Sequence, residues 1–162
     1  MIFVTIGSMF PFDRLIRLMD DWAQAHPEAE LLAQIGTGDY QPAHMPWVRK
    51  LDQAEFARTV AGARLVVAHA GMGSVITASQ FGKRVVMLPR RREAGEHTTD
   101  HQIATANWLR GKPGVHIADT DADLGPRIAA ALAAGAPEAP IFAAEAPGDF
   151  IARIRRCILG QS

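Results

Sequence analysis

The sequence predicts an α/β fold in which one parallel sheet is covered by helices on both faces. Short Val- and Ile-rich runs alternate with longer amphipathic segments, which is the pattern of strands joined by crossover helices. These runs are mostly apolar, so both faces of each strand are expected to be buried. The chain has no internal repeat, and its 162 residues, 48% of them apolar and 21% charged, suit one globular domain over residues 1–162.

The first half of the chain is predicted to hold four strands and two helices. Strand one runs into a glycine, and Asp13 is positioned to cap the first helix. Strand two stops at Gly36, and strand three begins at Pro46. The predicted strands are residues 2–6, 31–35, 46–51 and 64–68. The first helix begins near Asp13 and has Leu15, Ile16, Leu18, Met19 and Trp22 on its apolar stripe. The second helix covers 52–61, with Phe56 and Val60 facing inward.

The second half is predicted to hold two further strands and four helices. Ser74 is positioned to cap the helix that follows strand four. Strand five ends at Pro89, and a polar loop leads from there to the next helix. The predicted strands are 84–88 and 115–118. The first three helices are one with Val75, Ile76, Ala78 and Phe81, one with Ile103, Ala106, Trp108 and Leu109, and one over 123–134. A Pro- and Ala-rich connection over 136–147 leads to a C-terminal helix over 147–160, with Phe150, Ile151, Ile154, Cys157 and Ile158 on one face.

Two glycine turns are expected to meet at one edge of the sheet. With strand order 3-2-1-4-5-6, strands one and four are neighbours where the order reverses, and ligands of such sheets bind there, beyond the carboxyl ends of the strands. Gly7-Ser8 follows strand one, and Gly71-Met72-Gly73 follows strand four. The spacing fits neither the dinucleotide glycine fingerprint nor the P-loop lysine motif, so the prediction depends on the position of the turns.

Residues 65–74 indicate the chemistry of that ligand. They form a buried strand, a tight glycine turn and the start of a helix. Glycines let the backbone approach a ligand closely, and the free N–H groups and dipole of a helix start favour negative charge. The alternative is a plain strand-to-helix corner, but the second glycine turn favours a site for a phosphate-bearing ligand.

Composition excludes several functional classes. The formal net charge is zero, which argues against a general nucleic-acid binder. A single cysteine, Cys157, leaves no internal disulfide and favours a cytoplasmic location. No run is long enough to cross a membrane, and the first residues resemble a strand and not a signal peptide. A role at a membrane would therefore need a partner or a surface contact.

Some patterns keep two interpretations. Glu96, His97, Asp100 and His101 raise the question of a metal site, because His97 and His101 lie one helical turn apart and zinc needs three or four protein ligands. His69 is either a core histidine or a site residue. Residues 90–92 are three arginines, which form either a solvated charge run or a contact to phosphate or to an anionic membrane. The C-terminal apolar stripe is either core or an interface.

The motifs together resemble those of a known family. Three segments carry the resemblance: the run His69-Ala70-Gly71-Met72-Gly73-Ser74, then Gly82-Lys83 with a strand to Pro89, and then Glu96-His97 with Asp100-His101-Gln102. Together they resemble the donor-binding half of glycosyltransferase family 28. Val4-Thr5-Ile6-Gly7-Ser8 with Phe12-Asp13 and Leu15 is similar to the start of its small free-standing members. The segment from Gly95 to Gln102 looks most like the bacterial exopolysaccharide branch. The resemblance covers most of the chain and weakens after residue 120.

The resemblance implies a fold, a reaction and a partner. The fold would be the Rossmann-like C-terminal half of the two-domain GT-B architecture, with the acceptor half on a separate, membrane-associated protein. Such subunits bind a UDP-sugar, invert the anomeric centre and need neither a metal nor a cofactor, because helix amides neutralise the diphosphate. The expected location is the cytoplasm, at the inner face of the membrane through that partner. Without it, the isolated chain is expected to form homo-oligomers.

The resemblance also assigns residues. Gly71, Met72, Gly73 and Ser74 correspond to the diphosphate turn, and Gly7 and Ser8 to the turn that closes over the donor. The segment from Arg49 to Leu51 corresponds to the backbone that receives the uracil ring. His101 and Gln102 correspond to the polar pair that reaches the donor sugar and phosphates. Many members hold the ribose with a Glu where this chain has Thr77, so Thr77 or Glu96 is the predicted ribose ligand. His69 and His101 are the catalytic candidates within the chain, as bases or as donors to the phosphates.

The leading prediction is therefore a subunit of an inverting glycosyltransferase in exopolysaccharide biosynthesis, acting on a lipid-linked acceptor held by its partner. The loss of the ribose Glu favours an alternative, a non-catalytic nucleotide-binding module that recruits a membrane partner. A third possibility is a hydrolase or epimerase of nucleotide sugars. Turnover of donor by the isolated chain would distinguish this last class.

Overall fold

The computed structural model describes residues 1–143 and 145–160. Six strands alternate with six α-helices, and a 3₁₀ turn at Asp121–Asp123 precedes the fifth helix. The strands are β1 (Ile2–Thr5), β2 (Leu31–Gln34), β3 (Trp47–Val48), β4 (Leu65–His69), β5 (Arg84–Leu88) and β6 (Val115–Ile117), and the helices are α1 (Asp13–Ala25), α2 (Gln53–Gly62), α3 (Met72–Gln80), α4 (His101–Leu109), α5 (Leu124–Ala133) and α6 (Gly148–Ile158).

The sheet confirms the predicted topology. All strand pairs are parallel, and the order is β3-β2-β1-β4-β5-β6. β1 is paired with β4 from Ile2 opposite Leu65 to Thr5 opposite Ala68, so the chain leaves both strands at the same edge. The turns that follow β1 and β4 therefore start side by side at the reversal point of the strand order.

The core lies on both faces of this sheet. One apolar cluster joins β1, β2 and β4 to α1 and α5 through residues such as Ile16, Val67 and Ile128. The other joins the opposite face to α2, α3 and α4, and includes Phe3 and Val75, which are both fully buried. β4 is buried from Leu65 to Ala68 because it lies between both clusters.

Two predicted caps are wrong. The residue that precedes α1 is Phe12, and Asp13 instead accepts hydrogen bonds from the backbone N–H groups of Asp39 and Tyr40 at 3.2 Å each. α3 begins at Met72 directly after Gly71, so Ser74 is its third residue and does not cap it. Capping requires an extended backbone at one position, which composition alone does not specify.

Most element limits agree with the prediction, and β5 matches it in full. The third strand is shorter than predicted, since only Trp47 and Val48 pair with β2. The predicted helix over 123–134 corresponds to α5, and the 3₁₀ turn at Asp121–Asp123 precedes it. The connection over 136–147 includes Ala144, which lies outside the described residues.

Of the two interpretations of the apolar stripe on the C-terminal helix, core or interface, core is wrong. Every residue of α6 is exposed, including Phe150, Ile151, Ile154 and Ile158. Its apolar stripe therefore faces solvent in this chain. No helix within residues 1–143 and 145–160 combines the length and apolar character needed to cross a bilayer.

Candidate functional site

A cleft of about 460 Å³ opens at the carboxyl edge of β1 and β4. It contains both glycine turns, together with the start of α3 and the start of α4. Ten of the eleven predicted ligand-binding residues line it, as does the second catalytic candidate, His69. The lining residues among those predictions are Gly7, Ser8, Leu51, His69, Gly71, Met72, Gly73, Ser74, Thr77, His101 and Gln102.

The ring of His69 lies between the two glycine turns. A Cβ built on Gly7 would lie 2.6 Å from the His69 Cε1 atom, and a Cβ built on Gly71 would collide with Nε2 of the same ring. Gly7 also has a φ of +76°, which side-chain-bearing residues rarely adopt. The absence of side chains at these two positions is what lets the turns close on the imidazole.

His69 is a neutral imidazole at neutral pH. Burial, followed by the positive charge of Arg90, lowers the pKa of His69 to about 4. Its Nδ1 atom is buried and has no hydrogen-bond partner among the described residues. A base of so low a pKa accepts a proton weakly, so the ring is better suited to a hydrogen bond than to general-base catalysis.

The first turn of α3 presents backbone amides to the cleft. Gly71 donates its N–H to the carbonyl oxygen of His69 at 2.8 Å, which holds the turn closed, and the helix then starts at Met72. A Cβ at Gly73 would meet no atom within 4 Å, so the space over this turn is open. Because the first amides of a helix have no partner within the helix, this surface favours an anion.

Thr77 lies one turn further along α3 and also lines the cleft. Its hydroxyl donates to the carbonyl oxygen of Gly73 at 3.0 Å. The proton is therefore engaged within the helix, and the oxygen is left to accept a hydrogen bond. A ligand hydroxyl is a suitable donor for it.

Glu96 does not line the cleft. Its two carboxylate oxygens accept hydrogen bonds from Arg14 at 2.6 and 2.8 Å, and the backbone N–H of Arg91 adds a third at 2.9 Å. The Arg14 guanidinium also binds Asp121 and the carbonyl oxygen of Pro89. Glu96 thus fixes the loop between β5 and α4, and its carboxylate is already occupied.

The aromatic wall of the cleft combines His97 of that loop with Phe10, which follows β1, and His101 at the start of α4. The ring of His97 contacts the rings of Phe10 and His101 edge to face, with centroid distances of 5.0 and 4.4 Å. His101 Nδ1 lies 2.7 Å from the Thr99 hydroxyl oxygen. Partial burial, then the nearby His101 and Arg90, lowers the pKa of His97. Within the part of the chain that the structure describes, no three His, Cys, Asp or Glu side chains group to hold a metal ion.

Arg90 is a site residue that the sequence left ambiguous. It is 3% exposed and is not part of a solvated charge run. Its Nη2 donates to the carbonyl oxygens of Ile6 at 2.8 Å and Phe10 at 2.6 Å, and its guanidinium lies 5.1 Å from the centre of the Phe12 ring. Its place directly after the strand-ending Pro89 was the available signal.

Gln34 is a second lining residue that the sequence did not identify as functional. Its Nε2 donates to the carbonyl oxygen of Gly7 at 3.1 Å, while its Oε1 is buried without a hydrogen-bond partner among the described residues. A polar residue at the end of an otherwise apolar strand was the only sign of it.

The far end of the cleft is apolar. Leu51 and Phe56 line it, and Phe56 packs edge to face on Phe3 with centroids 5.5 Å apart. Arg49 does not reach this cleft; it lines an adjacent one and donates to the carbonyl oxygens of Gly36 and Gly38 at 3.3 and 2.6 Å. The cleft therefore changes from polar at the glycine turns to apolar at the start of α2.

Comparison with known proteins agrees with this arrangement. Residues 1–121 match the model of the glycosyltransferase family 28 C-terminal domain. The UDP-N-acetylglucosamine transferase subunit ALG13 of Yarrowia lipolytica (strain CLIB 122 / E 150) is 28% identical over 138 residues, covering 75% of this chain and 66% of that protein. The chain thus spans about two thirds of the length of this relative.

Solved structures share the fold at low sequence identity. The glycotransferase of kitacinnamycin superposes with a TM-score of 0.60 at 20% identity, covering 82% of this chain and 34% of that one. MurG of Acinetobacter baumannii gives 0.56 at 17% identity, covering 79% and 40%.

These likenesses show that the sheet and its helices form the Rossmann-like fold of the GT-B glycosyltransferases. The family match spans the sheet from β1 to β6 together with the cleft. The chain therefore belongs to glycosyltransferase family 28, of which it carries the C-terminal domain.

Proposed function

We propose that the chain is the donor-binding subunit of an inverting glycosyltransferase that takes a UDP-sugar as its donor substrate. The observation that carries the proposal is the open first turn of α3, which faces the β1 glycine turn across one cleft. The relative from Yarrowia lipolytica is named as a subunit of a UDP-N-acetylglucosamine transferase, which supports a UDP-linked donor and a partner subunit. The sequence of the loop before α4 favours a role in exopolysaccharide biosynthesis.

In this proposal the diphosphate binds the backbone amides at the start of α3. The uracil ring binds at Leu51 and Phe56, and Thr77 accepts a hydrogen bond from a ribose hydroxyl. The polar start of α4, with His101 and Gln102, faces the sugar. Helix amides neutralise the diphosphate, so the donor needs neither a metal nor a cofactor.

Transfer then proceeds by a single displacement. The acceptor hydroxyl attacks the anomeric carbon from the face opposite UDP, the bond from that carbon to the UDP oxygen breaks, and a general base takes the hydroxyl proton. We assign this base to the partner, because the low pKa of His69 makes it a weak base. His69 and His101 would then donate hydrogen bonds to the donor.

The partner is proposed to cover α6. Four apolar side chains of this helix are between 43% and 78% exposed: Phe150, Ile151, Ile154 and Ile158. An apolar stripe of this kind marks a surface that a partner buries in a stable complex. A membrane-associated partner that holds the lipid-linked acceptor would place this subunit at the cytoplasmic face of the membrane. Without it, the same stripe would favour homo-oligomers.

Donor binding tests the first part of the proposal. Titration of UDP and UDP-sugars should raise the melting temperature of the purified chain, and the double variant Gly73→Ala, Ser74→Ala should weaken that effect. Unchanged affinity would contradict binding of phosphate at α3. Transfer activity of this chain reconstituted with its partner distinguishes a catalytic subunit from a recruitment module. The same double variant should abolish product formation if the chain is the catalytic subunit, and should leave it intact if the chain is a recruitment module.

Partner binding is tested on α6. Ile154→Asp should abolish co-purification with the partner while leaving the melting temperature unchanged, because the side chain is 46% exposed. Ile103→Asp on α4 is the matched control at 40% exposure and should leave co-purification intact. Retention of the partner by the Ile154 variant would contradict this interface.

A further inference from the structure

The cleft wall holds a buried cation whose charge is not paired. Arg90 is 3% exposed, and its charge forms no ion pair within residues 1–143 and 145–160. Glu96 is near enough to act on it electrostatically but is bound to Arg14. Burial lowers the pKa of Arg90 to about 10, as expected for a cation without a counterion. Buried charges are normally paired or coordinate a ligand, so this one calls for an anion.

Within the described residues, the guanidinium of Arg90 forms its hydrogen bonds through Nη2 alone. Nη2 binds the carbonyl oxygens of Ile6 and Phe10, at the two ends of the β1 glycine loop. Nε is buried and has no hydrogen-bond partner among the described residues, and Arg90 lines the same cleft as the start of α3. Two independent features of the cleft, the guanidinium of Arg90 without a counterion and the first turn of α3, therefore favour negative charge.

We propose that Arg90 is the fixed cation of the donor site, and that its guanidinium binds the diphosphate through Nη1, opposite the first turn of α3. The inference rests on the proposed function, since it takes a diphosphate as the ligand. When the bond to the sugar breaks, the diphosphate gains one negative charge, and a buried guanidinium stabilises that charge more than it stabilises the donor. The cation thus favours the leaving group, and its Nη2 bonds keep the β1 glycine loop in place around it.

The experiment compares ligands that differ in charge. Arg90→Lys and Arg90→Gln are titrated with uridine, UDP and inorganic pyrophosphate by calorimetry or thermal shift. We expect the affinity for UDP and for pyrophosphate to fall about 10- to 100-fold while that for uridine changes less than threefold. Arg14→Gln is the matched control, because Arg14 binds the same loop through Pro89 and Glu96 but does not line the cleft.

Each outcome decides the matter. An equal loss for uridine and UDP, or no loss at all, overturns the proposal, since a structural role affects every ligand alike. If both variants fail to fold, the NMR resonance of the Arg90 Nε–H group is followed in the wild-type chain instead. This resonance must shift on addition of pyrophosphate, and an unchanged resonance overturns the proposal. Binding of pyrophosphate that depends on Arg90, without any binding of UDP-sugars, would sustain this inference and refute the proposed donor.

Discussion

Replacing Gly73 by alanine separates folding from ligand binding. Gly73 is the second residue of α3, its φ is not positive, and an added Cβ would meet no atom within 4 Å. Alanine is favoured over glycine inside a helix by about 1 kcal/mol, of which a first-turn position realises about half. The variant should therefore melt about 1–2 °C higher than the wild type, given the usual scaling for a chain of this length.

In the proposed complex with UDP, the same methyl group would stand where a phosphate approaches the amides of Met72 and Ser74. Losing one hydrogen bond to a charged group costs about 1.5–3 kcal/mol, which is about a 10- to 100-fold loss of UDP affinity in calorimetric titration. Gly62→Ala is the matched control, since Gly62 ends α2, has open space around its Cα and does not line the cleft. It should gain stability and keep its affinity. A Gly73→Ala protein with higher stability and unchanged affinity would refute the placement of phosphate at α3.

Three further predictions concern residues around the cleft. Gly71→Ala would push a methyl group into the ring of His69 and should lower the free energy of unfolding by about 1–3 kcal/mol in urea denaturation; an unchanged midpoint would contradict the packing of that ring. The pKa of His69 is about 4 in the folded chain against 6.5 ordinarily, so the unfolded chain binds more protons as the pH falls. The neutral ring stabilises the fold fully above pH 6.5, and about 3 kcal/mol of this stability is lost as the pH falls toward 4. His69→Gln should remove that pH dependence from the free energy of unfolding. Equal acid sensitivity of both proteins would show that another group is responsible. Glu96→Gln should cost about 2 kcal/mol by weakening the bonds to Arg14 and should leave uridine affinity intact, whereas a loss confined to nucleoside binding would restore its predicted ribose role.

The strand order could be predicted because each strand carries its own signal. Val66, Val67, Val85 and Val86 are fully buried in the middle of the sheet, and such runs are recognisable without knowing their neighbours. The glycine turns could be placed for the same reason, since the parallel order brings the ends of β1 and β4 together. β3 was overestimated because Trp47 and Val48 are only partly buried at the sheet edge, where the pattern is weak.

Side-chain roles in the site depended on contacts far apart in the chain. Arg90 binds Ile6 and Phe10, which precede it by 84 and 80 residues, and only its place directly after Pro89 distinguishes it in sequence from the two arginines that follow. The partner of Glu96 is 82 residues away, so its carboxylate looked free for a ligand. Turn positions are local properties, whereas the pairing of a charge is a property of the folded chain.

The solvent-exposed C-terminal helix has a consequence for how such proteins diversify. None of its side chains is part of either apolar cluster, so substitutions there carry no packing penalty for the sheet or for the cleft. Substitutions can therefore adapt this helix to a different partner while the residues that line the cleft stay unchanged. Exchanging only this segment between two relatives should redirect assembly and leave donor preference untouched.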